Sequence, residues 1–408
     1  MPNFAGAWTL NQQAYARGQN IWPATPSAPT IGTATATGSS TATVAYTANA
    51  TGYPSSVTYT ATSSPGGLTG TGASPITVTG LSASTSYTFT VTATNATGSS
   101  TSAASNSITT SAAGTQRAIF AFGQLNNGNT TNVNNLVSNT GVVATDGTAA
   151  GGARAYRAAA TYGTDKAIFG YGYNNSGTVG NSINLVSNTG VVASDTAGAG
   201  TARAPAACGY GTDKAIFGYG DNNGGAFYSM TNLVSNTGVV ATDTAGVGSA
   251  RDRLSATSYG GDKGIFGFGR LSSLSDTAIT NLVSNTGVVA TNTAGVGSGR
   301  VWLAGATYGG DKGIFGFGGG VTNVTNLVSN TGVVATDTAG VGTARNALAA
   351  SGYGADKAIF GFGTTSFGNT AANVSTTNLV SNTGVVATNT TGVGTTRSGL
   401  SAAGYSST

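Results

Sequence analysis

The sequence has no histidine, no glutamate and, in 408 residues, one cysteine, Cys208. Without histidine there is no imidazole base, no histidine-based triad and no histidine metal site. One cysteine closes no internal disulfide and builds no thiolate cluster. Charged residues are 7% of the chain, where an ordinary soluble domain carries about a quarter. The net charge of +4 is spread thinly, so it argues only weakly for nucleic acid, and none is expected as a partner. No apolar run approaches the roughly 20 residues of a membrane span, so no membrane insertion is expected. The start, Met1-Pro2-Asn3-Phe4-Ala5-Gly6-Ala7-Trp8, lacks a basic stretch followed by an apolar one and does not read as a secretory signal. No cofactor and no metal are expected.

Glycine is abundant, 65 residues, and Ser, Thr, Asn and Ala fill much of the rest. Scarce Glu and Lys with plentiful Gly and Thr argue for an all-β protein. The chain divides into three parts: 1–25, 26–113 and 114–408. In the first, residues 8–17 read as a short helix with Thr9 near the cap and Gly18 as the stop. Its apolar side chains, Phe4, Trp8, Leu10, Tyr15 and Trp22 among them, need a surface to pack on, either the chain's own next domain or another subunit.

Between Gly18 and Gln116 there is no charged residue. Thr41-Ala42-Thr43-Val44-Ala45-Tyr46 and Tyr87-Thr88-Phe89-Thr90-Val91 alternate with a period of two, the mark of half-buried strands, and Gly/Pro clusters separate such runs. The length suits a seven-stranded sandwich. Gly80-Leu81 followed by Tyr87, Phe89, Val91, Ala93, Asn95 and Gly98 resembles the late strands of a fibronectin type III domain, which implies that Tyr87 is its corner tyrosine. The early-strand Trp of that family is missing, with Val44 or Tyr46 in its stead.

From 114 onward the chain repeats itself. Asn-Leu-Val-Ser-Asn-Thr-Gly-Val-Val-Ala begins at Asn135, Asn184, Asn232, Asn281, Asn326 and Asn378, six copies spaced 49, 48, 49, 45 and 52 residues. Each unit reads as four strands: a (as 303–308), b (264–268), c (281–284) and d (288–291), with Asn285-Thr286-Gly287 as the hairpin between c and d. Strands b, c and d are apolar at adjacent positions, which predicts burial on both faces. Four-stranded units of this length, six in number, predict a six-bladed β-propeller. The first unit begins at strand b and the last ends with an extra strand a, so the C-terminal strand is expected to complete the first blade and close the ring. The pattern resembles kelch repeats: Ile-Phe-Gly-Phe-Gly sits where kelch has an aromatic strand ending in Gly-Gly, and an Arg precedes strand a, although Val replaces the outer-strand Trp.

Differences between the units fall in two places. The b–c gap is 11 residues in the first four units, 7 in the fifth and 14 in the sixth. The residues after each Arg also change: Ala155-Tyr156-Arg157, Ala204-Pro205, Asp252-Arg253, Val301-Trp302, Asn346-Ala347 and Ser398-Gly399. In an antiparallel blade both places lie at one end, and the near-constant a–b and c–d turns at the other. One varied face on a rigid scaffold predicts binding. The ligand-binding candidates are the non-repeated aromatic and basic residues Tyr156, Arg157, Tyr173, Phe227, Tyr228, Arg253, Arg270, Trp302 and Phe367.

The Asp-Lys pairs at 165, 213, 262, 311 and 356 read as turn and solvation residues, and no catalytic residue is expected. Each of Arg154, Arg203, Arg251, Arg300, Arg345 and Arg397 has an Asp or Asn eight residues earlier, and reads as a clamp between strand ends and that side chain rather than as an anion ring. Asp221-Asn222-Asn223-Gly224 resembles only the start of a calcium loop. Cys208 reads as packing. A hydrolase would have to draw on Asp221, Asp252 and Asp276.

Phe4, Gly6, Trp8, Thr9, Leu10, Trp22 and Pro23 resemble the starts of tail and other structural proteins of cyanobacterial phages. That resemblance implies a virion structural protein of tail-fibre or adhesin type. It would be assembled in the host cytoplasm, exposed on the particle, docked to other virion proteins through residues 1–25, and would bind a host-surface glycan or protein. A homo-oligomer is compatible with it. The alternatives are an architectural decoration protein and a surface-polysaccharide hydrolase.

Overall fold

The computed structural model describes residues 9–19, 23–37, 41–52, 56–82, 84–110 and 116–406. It is all-β with many small sheets, and it divides into two compact units, 1–113 and 114–408.

In the first unit, helix α1 (Leu10–Gly18) starts at a capping box: the Thr9 hydroxyl accepts the Gln12 N–H, and the Gln12 side chain accepts the Thr9 N–H at 2.9 Å. Leu10 and Tyr15 stand exposed on it. Phe4, Trp8 and Trp22 lie outside the described residues. No helix among the described residues is long and apolar enough to cross a membrane. The strands are β1 (Thr30–Ala36), β2 (Thr41–Thr47), β3 (Thr58–Ser64), β4 (Thr69–Thr71), β5 (Ile76–Thr79), β6 (Ser86–Asn95), β7 (Gly98–Thr101) and β8 (Ile108–Thr109). One sheet runs β1-β2-β5 and the other β4-β3-β6-β7, with β8 also on β6. Alternation sends Tyr87, Phe89, Val91 and Ala93 of β6 inward, where the first three share a core with Val44, Ile76 and Val78. The Tyr87 hydroxyl accepts the Ser82 N–H at 2.9 Å, tying the chain before β6 to the core. Tyr46 lies at the core's edge, its ring 4.7 Å from that of Tyr59.

Among the described residues the second unit holds six antiparallel sheets of three or four strands in series, with two two-stranded ribbons, Gln124–Leu125 on Arg397–Ser398 and Arg251–Asp252 on Arg270–Leu271, beside them. Five of the six have three main strands, inner, middle and outer; the fifth of the series is typical, with Ala304–Tyr308, Lys312–Gly316 and Thr325–Val328, whereas the strands of the third, Ala204–Tyr210, Lys214–Asp221 and Phe227–Val234, are longer. The remaining sheet joins the two ends of the unit: Ser401–Ser406 pairs with Gln116–Ala121, which pairs in turn with Val133–Val137. Inner strands touch in the order 158–162, 204–210, 255–259, 304–308, 349–353 and 401–406, and the last also touches the first. Aromatic contacts follow the same order. The second aromatic of each Ile-Phe-Gly-Phe-Gly run meets the first aromatic of the next, from Phe122–Phe169 at 5.3 Å to Phe317–Phe360 at 5.1 Å, and Phe362 returns to Phe120 at 5.2 Å.

The fourth strand of each unit departs from expectation. It is reduced to isolated bridges such as Val283↔Val289 and Thr280↔Thr293, apart from a two-residue strand, Gly147–Thr148, in the first sheet. The cause is the buried asparagine of the outer strand. Asn281 Nδ2 donates to the Ala290 carbonyl and the Asn292 side chain, taking up the space where backbone pairing would continue. Nor is this segment buried on both faces: Val288 is exposed and Val289 buried, a split repeated at Val191/Val192, Val239/Val240, Val333/Val334 and Val385/Val386.

The repeated arginines also differ from expectation in their partners. Arg203 does not reach back to Asp195. It donates Nε to the Tyr219 carbonyl at 2.8 Å and Nη2 to Asn232 Oδ1 at 2.6 Å, and lies 3.6 Å from Asp243, all in the following repeat. Arg397 does likewise with Phe122 and Asn135, at the start of the series. Each guanidinium also covers the second aromatic of the preceding repeat, as Arg251 covers Tyr219 at 4.4 Å. Arg203, Arg251, Arg345 and Arg397 are fully buried, so these groups join neighbours and offer no ring for anions. In the first repeat Arg157, not Arg154, takes the place over the aromatic, 4.4 Å from the Phe122 ring.

Candidate functional site

The two varied places of the repeat pair with each other. Gln124↔Ser398, Ala155↔Tyr173, Asp252↔Arg270 and Asn346↔Thr364 join the residues after an Arg to the start of a b–c loop. At the inner edge, the residues after all six arginines converge on one cavity of 360 Å³. Its distinctive walls are Tyr156, Tyr173, Asp221, Arg253 and Trp302, with Arg157 beneath. A cavity of this size suits a small ligand. Two smaller cavities, of 120 and 220 Å³, continue along the Ala- and Gly-rich inner strands toward the a–b turns.

The aromatic groups form a connected cluster. Tyr156 meets Tyr173 edge-on at 5.8 Å and Trp302 at 6.5 Å, and Trp302 meets Phe367 at 4.8 Å. The Arg253 guanidinium lies 4.7 Å over the Trp302 ring. The Tyr173 hydroxyl donates to Asp221 Oδ1 at 2.5 Å, and Asp221 Oδ2 accepts the Asn223 N–H. Burial and the Asp221 carboxylate both push the Tyr173 phenol well above its ordinary range, so it remains a donor. Behind Arg253 sits Asp252, 1% exposed, with Oδ2 3.2 Å from Arg253 Nε and, among the described residues, no hydrogen bond to either carboxylate oxygen. Burial pushes its carboxyl up to about 6, against the pull of Arg253. Desolvation lowers Arg157 to about 9, and it donates Nη2 to the Phe169 and Ser182 carbonyls.

Of the nine sequence candidates, Tyr156, Arg157, Tyr173, Arg253 and Trp302 line the cavity, and Phe367 backs Trp302. Phe227, Tyr228 and Arg270 do not line it. Phe227 and Tyr228 pair with Asp221 and Gly220 in the third sheet, and Arg270 is held by Asp276 at 2.7 Å. The residues that sequence reasoning missed are Pro205, Asn174, Asn175 and Asn223. Pro205 carried a readable signal, being a proline where the other five repeats have none.

Elsewhere the repeated groups are structural. Each Lys of the a–b turns pairs with its own Asp, as at Lys263–Asp262 (2.7 Å), and the Asp carbonyl accepts a Gly N–H from the preceding turn, as in Gly211 to Asp262 at 2.7 Å. Cys208 is buried in an inner strand, and desolvation raises its thiol to about 12, so it packs and carries no thiolate at neutral pH.

No known protein family and no curated protein matches the chain. Among solved structures, one described as "Structure of YjhT" is similar, with 13% identity over 62% of this chain and 90% of that chain and a TM-score of 0.45. So distant a likeness decides nothing about fold or function.

Proposed function

We propose that residues 114–408 form a closed six-bladed, kelch-like β-propeller behind a fibronectin type III-like sandwich, and that the chain is a non-enzymatic virion structural protein of adhesin type. Support for ring closure comes from three series that return to their start: the inner-strand contacts, the aromatic pairs and the arginine clamps. Support for the sandwich comes from the two sheets sharing one core and from the Tyr87 hydroxyl bond. The virion assignment rests on the resemblance of the first residues to phage structural proteins.

Binding is supported by one observation above the rest: the varied residues of all six repeats meet at a single aromatic-lined cavity. A host-surface ligand is the occupant this reading assigns. Hydrolysis finds little support. Asp221 is engaged by Tyr173 and Asn223, Asp252 is sealed from solvent, and Asp276 is held by Arg270.

The test is adsorption to host cells. Particles carrying Trp302→Ala or exchanged b–c loops should lose attachment while keeping assembly. Unchanged adsorption would leave the architectural decoration protein as the better reading. Release of sugar from purified host polysaccharide, abolished by Asp221→Asn, would restore the hydrolase.

A further inference from the structure

The cavity owes its shape to one residue. The second residue after each repeated Arg is Tyr156, Pro205, Arg253, Trp302, Ala347 and Gly399. Five of the six have a left-handed backbone, with φ of 53°, 50°, 52°, 49° and 59°. They are joined by backbone hydrogen bonds into a collar: Tyr156 N–H to Gly399 O, Gly399 to Ala347, Ala347 to Trp302 and Trp302 to Arg253, at 2.6 to 2.9 Å. Pro205 is the exception. Its ring fixes φ near −65° and it has no N–H, so it neither takes the left-handed turn nor donates to Tyr156. The chain there continues instead as part of the inner strand Ala204–Tyr210, with a register shift between Ala204 and Ala206. The collar is thus broken, and its two loose ends are the Tyr156 carbonyl and the Arg253 N–H. Among the described residues, no protein group pairs with either. Left-handed non-glycine backbone also recurs at the buried aromatics Phe122, Tyr171, Tyr219, Phe268, Phe317 and Phe362, so what marks the collar is its chain of hydrogen bonds and the single break in it.

We propose that the break at Pro205 is a saccharide subsite that takes the terminal one or two rings of a neutral pyranose glycan. The proposal rests on the binding reading above and names its ligand class. The size of the cavity accommodates about that much ligand. Tyr156, Tyr173 and the part of the Trp302 ring left uncovered by Arg253 and Phe367 suit the apolar C–H face of a pyranose ring. The Tyr156 carbonyl accepts and the Arg253 N–H donates, which matches hydroxyl groups that do both. Charge selects the neutral class: Arg157, Arg253 and Asp221 line the cavity and Asp252 is buried behind Arg253, so two positive groups stand against two negative ones. An acidic or amino sugar would find no net opposite charge.

The full-length protein would be titrated with methyl glucoside, methyl galactoside, methyl mannoside, methyl N-acetylglucosaminide, maltose and lactose, with glucuronate and glucosamine as charged counterparts. Saturation-transfer NMR and tryptophan fluorescence are the readouts. At least one neutral member should bind, and more tightly than its charged counterpart. Trp302→Ala should weaken it about tenfold or more. Pro205→Gly restores an N–H and permits the left-handed turn, so the collar should close and binding should fall by a similar factor. Tyr173→Phe supplies a further variant if Pro205→Gly unfolds. Absence of binding by every neutral sugar, tighter binding of a charged one, or full binding by well-folded Pro205→Gly overturns the proposal. Host-cell adsorption separates the two readings. Adsorption lost in Trp302→Ala without any sugar binding keeps the adhesin and rejects the saccharide, pointing to a protein ligand; adsorption unchanged where Trp302→Ala has lost sugar binding keeps the subsite and rejects the adhesin.

Discussion

The two ends of the repeat present the same kind of chain, short loops rich in glycine and small polar residues, under opposite constraints. At the c–d end, Gly287 has φ +84°, and a Cβ there would stand 2.9 Å from Leu233 and 3.0 Å from Tyr210 of the neighbouring repeat. Gly238 meets Tyr162 in the same way, and Gly141 meets Tyr353. The turn is constant because each copy must fit under a neighbour's tyrosine. At the other end the residues after the arginines line a cavity, and a neighbour's tyrosine dictates the side chain at one of them, Gly399, where a Cβ would stand 2.9 Å from Tyr156. Constancy at one end therefore has a packing cause, and the contrast between constant and varied loops is not in itself a sign of a ligand. The cavity and the broken collar carry that argument.

The largest effect should come from opening the series. A chain ending at Leu400 loses the strand 401–406 and leaves Gln116–Ala121 without its inner partner. Deprived of that strand, the repeat unit should lose at least about 5 kcal/mol or fail to fold, with association through the bared edge visible by size-exclusion chromatography. A truncated chain that melts like the full one would mean the two ends contribute separately rather than as one sheet.

Next in size is a contrast between two arginines. Arg397→Ala removes a fully buried guanidinium and orphans the Asn135 side chain and the Phe122 carbonyl, so it should cost about 3–5 kcal/mol in urea denaturation. Arg253→Ala made together with Asp252→Asn, so that no buried carboxylate is left unpaired, removes a partly exposed side chain at the cavity, and should cost about 1 kcal/mol or less while weakening ligand binding. Equal costs would erase the distinction between skeleton and site.

How much of this was legible follows from the same contrast. The sixfold repetition, the strands and the place of the varied residues follow from periodicity, which is a local property. The arginine partners lie one repeat further along the chain, where short-range spacing does not reach, so Asp195 seemed the natural mate of Arg203 and is not. The fourth strand was overestimated because Val-Val looks like a buried strand, whereas the buried Asn of the outer strand interrupts its pairing. Pro205 was visible as a proline, but its meaning required knowing that its five counterparts turn left-handed.

Asp252 sharpens the comparison through pH. Its carboxyl, raised to about 6, takes up a proton more readily in the folded chain than in the unfolded one. The native state therefore binds the extra proton between about pH 4 and 6, and stability falls as pH rises through that window. Asp252→Asn removes this cost, and should stabilise the protein at pH 8 by up to about 3 kcal/mol and by little at pH 4. A gain independent of pH would show that the carboxylate is not the source.

The smallest pair of changes swaps the residue classes of the two ends. Ala347 has φ +49°, a conformation that costs a residue with a Cβ about 1 kcal/mol and costs glycine nothing. Gly399, its counterpart in the next repeat, already has the glycine. Ala347→Gly should thus be neutral or stabilising by up to about 1 kcal/mol, the usual helix and strand penalties for glycine being irrelevant in this turn. Gly287→Ala is the reverse change at the other end, and should destabilise by about 1–3 kcal/mol, because it adds both the left-handed strain and a clash with Tyr210. Opposite signs in thermal melts would mean that the left-handed backbone of the collar is kept at a cost in stability, whereas at the c–d turns glycine relieves it under a neighbour's tyrosine. The same sign for both would remove that distinction, and with it the reason to regard the left-handed collar as a feature of the site.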